Sequence, residues 1–366
     1  MVKRARVIAL YLPQYHPIPE NDEWWGKGFT EWTNVGNAKP LFRGHYQPRV
    51  PADLGYYDLR LPEVREAQAQ MAMEAGVEGF MYWHYWFGNG KQLMSGIFDE
   101  VLNSGKPDFP FCLGWANHSW YAKNWNARGC KKDRLLIEQQ YLGEFDYKMH
   151  FEKVLKAFRD ERYIRIDEKP VFLIFDPVNL PDEFISSWNY WAKESGLKDG
   201  IYFIAQVNKH RLNRIEDILK RGFSAVTFQN MGAMYAQKGL FNKFIFRLSS
   251  LLNKFFFGKP VFTTDYAKAF SFFVSQDDKR EEVIPFILPN WDHTPRSGIN
   301  GTLLVNSTPE LFKQHVEQVL DIVENKQNKL VLLKSWNEWA EGNYMEPDLK
   351  FGKGYLKAFK DAIEVS

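Results

Sequence analysis

"LVLLKSWNEWAEG", Leu330 to Gly342, starts as an unbroken apolar run and ends in two glutamates three residues apart. A strand buried on both faces reads as such a run, whereas a half-solvated strand alternates. Glu338 and Glu341 stand beside Trp336 and Trp339, and a solvated loop has no use for two indoles. The stretch therefore reads as a buried parallel strand whose C-terminal end opens into a site. In parallel α/β folds that end is where function collects.

Working outward, seven more runs have the same character: 6–12 (RVIALYL), 77–83 (VEGFMYW), 110–115 (PFCLGW), 170–175 (PVFLIF), 201–207 (IYFIAQV), 223–228 (FSAVTF) and 283–288 (VIPFIL). Helical patterns alternate with the eight runs, over about 62–75, 91–104, 144–160, 181–195, 211–221, 263–279, 308–325 and 353–364. Pro62, Pro181 and Thr308-Pro309-Glu310 are helix-entry signals, and Gly76, Gly196 and Gly222 are exits. Eight β-then-α units in order predict an α/β fold, a (β/α)8 barrel in a single domain over 1–366. A doubly wound sheet is the alternative, but no GxGxxG follows any strand.

Composition narrows the function. A net charge of +2 offers no argument for nucleic acid as a partner. Aromatic residues make up 16% of the chain, and many of the 13 tryptophans neighbour Asn, His or Glu, a setting suited to stacking on sugar rings. Two cysteines, Cys112 and Cys130, make neither a disulfide framework nor a zinc pattern. The start, MVKRARVIALYLPQYHP, is basic, but its apolar stretch is broken by Pro13 and Gln14 and lacks a small-residue cleavage site, so it reads as a strand. No run reaches the roughly 20 apolar residues of a membrane span. A cytoplasmic enzyme is the expectation.

All eight strand ends carry hydrogen-bonding groups. Strand one ends in Tyr11, Gln14, Tyr15 and His16, strand two in Trp83, His84, Tyr85 and Trp86, strand three in Trp115, Asn117, His118, Ser119 and Trp120. Asp176 ends strand four, Gln206 and Asn208 strand five, Gln229 and Asn230 strand six. Strand seven ends in Asn290, Trp291, Asp292, His293 and Arg296, strand eight in Asn337, Glu338, Trp339 and Glu341. A carboxylate pair is the equipment of glycoside hydrolysis, one acid protonated and one ionised. Burial among indoles raises one pKa, and donors such as Asn337 hold the other down. If the chain turns helical after strand eight, the two Cβ atoms lie about 5–6 Å apart; if it stays extended, about 10 Å. Spacing does not choose between retention and inversion.

The stretches "LYLPQYHPIPENDEWWGKGFTEWTNV", "GFMYWHYWF", "LGWANHSW", "WDHTPR" and "SWNEWAEGNYMEPD" together resemble the WbsX-type proteins of bacterial polysaccharide loci, a group similar to glycoside hydrolase family 99, the endo-α-mannosidases. The motifs run from residue 10 to about 348. The resemblance implies a (β/α)8 barrel and a retaining, endo-acting hydrolase of an α-mannoside- or α-rhamnoside-type polysaccharide. It implies that Glu338 deprotonates a sugar 2-hydroxyl, which attacks the anomeric carbon to give a 1,2-anhydro sugar, while Glu341 is general acid and then base. It asks for no cofactor and no metal. Tyr15, His16, Trp83, His84, Trp86, Trp115, Asn117, Trp120, Asp176, Gln206, Gln229, Asp292, His293, Arg296, Asn337 and Trp339 are the substrate-binding candidates, with Glu31 of "GFTEWTNV" as a third acid. One departure is Ala340, where the hydrolase branch is expected to carry His; it bears on mannoside specificity and not on the acid pair.

An insert after strand six, 231–262, has Lys238, Lys243, Arg247, Lys254 and Lys259, with Phe241, Phe244, Ile245, Leu248, Leu251, Leu252 and Phe255 on one helical face. It reads as a helical flap on the barrel, or as a basic amphipathic helix touching the inner membrane over 238–259. Two other functions stay open: a glycosyltransferase or transglycosylase building a surface polysaccharide, and a non-catalytic glycan-binding barrel.

Overall fold

The computed structural model describes residues 2–122, 134–207, 215–228 and 262–365, with single positions 252, 256, 258 and 260 between. Gln229, Asn208, Asn230, Cys130 and nearly all of the insert lie outside the described residues. The eight expected strands are present: β1 (Arg6–Tyr11), β2 (Gly79–His84), β3 (Phe111–Trp115), β4 (Lys169–Ile174), β5 (Tyr202–Val207), β6 (Ala225–Phe228), β7 (Phe286–Ile287) and β8 (Leu330–Leu333). Each pairs in parallel with its neighbours, and β8 pairs with β1 in the register Leu330↔Arg6. The ring closes between β6 and β7 through two backbone bonds, Val226 N–H to Glu282 O and Ile284 N–H to Val226 O, both 2.8 Å.

These strands are apolar throughout because the barrel core lies on one side and the helical layer on the other. Val7, Ile8, Val171, Phe172, Phe203 and Val331 are wholly buried. The layer outside is aromatic as well. Trp188, on the helix Glu183–Glu194, packs on Phe172 at 5.1 Å between ring centres and on Phe184 at 4.8 Å. Burying one indole removes about 200 Å² from water and contributes roughly 5 kcal/mol before entropy is counted. Backbones approach closely where Gly79 faces β3: a Cβ there would sit 2.3 Å from the Pro110 carbonyl oxygen.

The helices Pro62–Glu74, Ser95–Ser104, Glu144–Phe158, Glu183–Glu194, Ile215–Lys220, Pro309–Val323 and Gly354–Ile363 fall in the expected places. The helix expected over 263–279 does not form as one piece. Phe262–Asp265 is a strand parallel to Thr302–Val305, Asp265 caps a single turn at Tyr266–Ala269 by accepting from Ala267 N–H, and Ser275 starts a separate turn at Gln276–Lys279 through a capping box with Asp278. Paired Thr263 and Thr264 favour the extended strand, and each cap restarts the chain. The long first loop contains two short helices not foreseen, Pro19–Trp25 and Glu31–Asn37.

Candidate active site

The loop after β8 is held at both flanks before it presents its acids. Asn337 is fully buried; its side chain accepts from Leu12 N–H at 2.8 Å and donates to the Leu12 carbonyl at 3.1 Å. The Tyr15 hydroxyl donates to the Asn337 carbonyl and accepts from Trp339 N–H at 3.0 Å. Asn337–Glu338 pairs antiparallel with Asn343–Tyr344, and Trp339–Glu341 makes one tight turn between them. Gly342 ends that turn at φ 59°, with the Asp292 side chain 2.6 Å from where a Cβ would be, so glycine alone fits. Neither indole is a sugar platform. Trp336 Nε1–H donates to Glu346 at 3.1 Å and Trp339 Nε1–H at 2.6 Å. Tyr57 and Gln68 donate to the same carboxylate at 2.8 and 2.6 Å. Burial pushes Glu346 up to about 7, against the pull of these four donors.

The turn puts Glu338 and Glu341 on one side of the loop, where their carboxyls interact directly. Glu338 also accepts from Ser335 Oγ–H at 3.2 Å and Trp83 Nε1–H at 3.4 Å. Burial first, then the charge of Glu341 and the hydrogen bond to it, raises the Glu338 pKa. Burial would raise Glu341 too, but the Arg296 and His293 side chains and the bond from Glu338 hold it well below the usual range. Of the two acids, Glu338 is therefore the one pushed toward the protonated form and Glu341 the one held toward the anion. Arg296 comes from the end of β7. Its Nη1–H donates to Glu341, while Nε–H and Nη2–H reach Glu31 Oε2 at 3.2 and 2.9 Å. One guanidinium therefore ties the loops after β1, β7 and β8. The sequence around Glu341 holds no such cation, because the partner comes from 45 residues away.

A cavity of about 720 Å³ opens above the pair. Of the expected residues, Glu31, Trp83, Trp120, His293, Arg296, Glu338 and Glu341 line it. Others at the strand ends lie outside that lining, each for a local reason. His84 follows Trp83 on β2 and so points to the opposite face, where its Nε2 is 2.8 Å from His150 Nε2; burial pushes it down to about 3. Trp86 stacks on His150 at 4.6 Å, and Trp115 Nε1–H donates to the Trp86 carbonyl at 2.9 Å. Asn117 and Asp176 fasten β3 to β4, through Asp176 N–H to Asn117 Oδ1 at 2.7 Å. Asp292 is wholly buried. It accepts from His45 and Gln47 at 3.0 and 2.7 Å and from the Thr294 hydroxyl at 2.6 Å. Burial would raise its pKa, but the His45 bond, the Arg49 charge and Thr294 hold it at about 2. Tyr15, Asn337 and Trp339 support the acid loop from behind, while His16 and Gln206 are buried away from the opening.

The cavity also draws on residues beyond the expected set, among them Trp25, Phe29, Tyr85, Tyr121, Trp291 and Lys334. Tyr85 and Trp291 stand at strand ends in the sequence. Lys334 had a signal as well: it is the first charged residue after an apolar barrel strand. Trp25 and Phe29 sit in a loop whose path no local pattern reveals. Among the described residues no three His, Cys, Asp or Glu side chains are grouped to hold a metal ion, and no described helix is long and apolar enough to cross a membrane. Cys112 is a buried free thiol.

The barrel is similar to that of a glycoside hydrolase-like protein, with a TM-score of 0.60 and 16% identity over 100% of this chain and 95% of that one. It is also similar to the family 99 endo-α-mannosidase of Bacteroides thetaiotaomicron, with a TM-score of 0.54 and 15% identity over 99% of this chain and 97% of that one. Such identities speak to fold alone, and they agree with a glycoside-hydrolase-like barrel. The uncharacterized protein WxcX of Xanthomonas campestris pv. campestris is 34% identical over 98% of this chain. The chain spans 50% of that relative's length. The family model described as glycosyltransferase WbsX matches residues 7–359. With its fold, its acid-bearing loop and its match from β1 to the last helix, the chain belongs to the WbsX family.

Proposed function

We propose that the protein is a carbohydrate-active enzyme, a retaining, endo-acting glycoside hydrolase on an α-mannoside- or α-rhamnoside-type polysaccharide. The observation that carries this reading is the pair Glu338–Glu341, set on one tight turn so that both acids line an aromatic-walled cavity, with Glu338 pushed up and Glu341 held down. Carboxyls that flank an anomeric carbon stand about 5–5.5 Å apart for a nucleophile, or about 6.5–9.5 Å to admit water. Glu338 and Glu341 instead come from one tight turn and interact with each other, so both approach a sugar from the same side. They suit a reaction in which one acid serves O2 and its neighbour serves O1.

The proton begins on Glu338 and must pass along the shared hydrogen bond to Glu341, driven by a substrate 2-hydroxyl that donates to the Glu338 carboxylate. Glu338 then takes the 2-hydroxyl proton, O2 attacks C1, the C1–O1 bond breaks, and Glu341 protonates the leaving oxygen. The product is a 1,2-anhydro sugar. In the second step Glu341 takes a proton from water, the water oxygen opens the ring at C1, and Glu338 returns the proton to O2. Two inversions give retention. Arg296 and His293 hold Glu341 ready for its return to the anionic state. Trp83 and Trp120 supply aromatic wall for the glycan to pack against.

A test uses α-mannosyl and α-rhamnosyl oligosaccharides alongside aryl glycosides, with NMR following the first anomer released. Glu338→Gln loses activity on both kinds of substrate. Glu341→Gln loses about 10²- to 10⁴-fold on sugar leaving groups and far less on aryl ones, which need no acid. An inverted product, or either variant at the wild-type rate on oligosaccharides, would refute the mechanism. The description of the matching family favours a second reading, glycosyl transfer. Turnover confined to a nucleotide- or lipid-linked donor supports that reading.

A further inference from the structure

The cavity wall built by β7 and β8 carries its basic side chains, Lys334, His293 and Arg296, while the wall from β2 and β3 offers Trp83, Tyr85, Ser119, Trp120 and Tyr121. Two of the three basic groups are already engaged. Arg296 is shared between Glu31 and Glu341, and His293 sits 3.7 Å from Glu341 with its Nδ1 against the Ser297 hydroxyl. Lys334 differs. It is half-buried and lines the cavity, and among the described residues its Nζ is in no ion pair. Its ammonium lies over the Trp291 ring, 4.9 Å from the centroid, and that ring stacks in turn on His293 at 6.2 Å and 12°. An aromatic face fixes an ammonium in place without neutralising it, and its three N–H donors need acceptors.

We infer that Lys334 is a specificity-determining residue that recognises an acidic group on the glycan, so that the substrate is an anionic saccharide. This rests on the glycan reading proposed above. The charge comes either from a carboxylate on a ring, as in a uronate, or from a phosphate at the reducing position. A neutral sugar fills the aromatic wall and leaves the ammonium to water. An acidic one exchanges that water for a charge-assisted hydrogen bond beside low-dielectric rings, where the bond is stronger than on an open surface. The Lys334 charge also acts on Glu338 and Glu341 from a distance, so the test must separate its effect on an acidic ligand from its effect on the acid pair.

Calorimetry on the wild-type chain with matched α-mannosyl and α-rhamnosyl ligands tests the inference. Each set holds the neutral methyl glycoside oligosaccharide, its uronate counterpart and its 1-phosphate. The expected result is binding of one acidic form about 10- to 100-fold more tightly than the neutral form, the range for one partly desolvated charge pair. Lys334→Met keeps the alkyl stem and collapses that ratio toward unity, and Lys334→Arg restores most of it. Preference for the uronate places the acid on a ring, and preference for the 1-phosphate places it at the leaving position. Equal binding of all three forms overturns the inference and leaves the glycan reading standing. A Lys334→Met variant that weakens neutral and acidic ligands alike also overturns it, making the lysine only a neighbour of the acid pair. Binding of no saccharide sinks the glycan reading and this inference with it. Thermal melts of both variants report whether the fold is kept.

Discussion

Arg296→Met isolates what one guanidinium does for three loops. The wild-type side chain is 24% exposed, and its carboxylate partners Glu31 and Glu341 are 5% and 12% exposed. Removing one member of a buried ion pair costs about 3–5 kcal/mol, because the charge left behind has lost its partner. Here two carboxylates are stranded, but both can take up a proton, so the lower end, about 3 kcal/mol at neutral pH, is expected. For a chain of 366 residues that is roughly 4 °C in Tm. The pH dependence follows from the sign of the shift. Glu341 is held below its ordinary value, so its contribution is present above the usual carboxylate range and is lost as pH falls. In the variant, Glu341 loses the cation that held it down, and the deficit eases as Glu341 protonates. The deficit is therefore largest near pH 7.5 and shrinks by pH 4.5. Urea denaturation at the two pH values measures it. A loss below about 1 kcal/mol at pH 7.5, or the same loss at both, would refute the view that Arg296 holds the loops by charge.

Two further substitutions probe the supports behind the acids. Glu346 is raised to about 7, so its contribution is full below the ordinary glutamate range and declines as pH rises through neutrality. Glu346 should contribute a loss of stability between pH 5 and 7 with a slope approaching ~1.4 kcal/mol per pH unit, and Glu346→Gln should reduce the measured slope by that amount while setting an amide donor against four others. Tyr15→Phe removes the hydroxyl between Asn337 O and Trp339 N; a loss of about 1–3 kcal/mol is expected, read from the urea midpoint.

The barrel was legible because its strands are buried on both faces and so are apolar at every position, as Val7 to Tyr11 and Leu330 to Leu333 illustrate. The acid pair was legible for the opposite reason: carboxylates have no place at such a strand end unless they are used. What local sequence does not carry is direction. Trp83 and His84 are neighbours, yet one meets Glu338 and the other meets His150. Asp292 and Arg296 share one motif, but Asp292 is enclosed by His45, Gln47 and Thr294, while Arg296 reaches the cavity. The two tryptophans flanking the acids pointed to sugar and instead bind Glu346, a carboxylate whose burial depends on Tyr57 and Gln68 from far upstream. Register and packing set these directions, and both depend on distant parts of the chain.

The ring of strands is not equally thick all round. Between β1 and β3 each seam is a ladder of several residues, whereas β6 and β7 meet through Val226 alone. A hoop under load parts at its thinnest joint. The four-residue ladder between β8 and β1 keeps the acid-bearing loop in register with the first strand. The acid-bearing loop thus follows a strand anchored unequally, by four residue pairs to β1 and by two to β7, so its position is set chiefly from the β1 side.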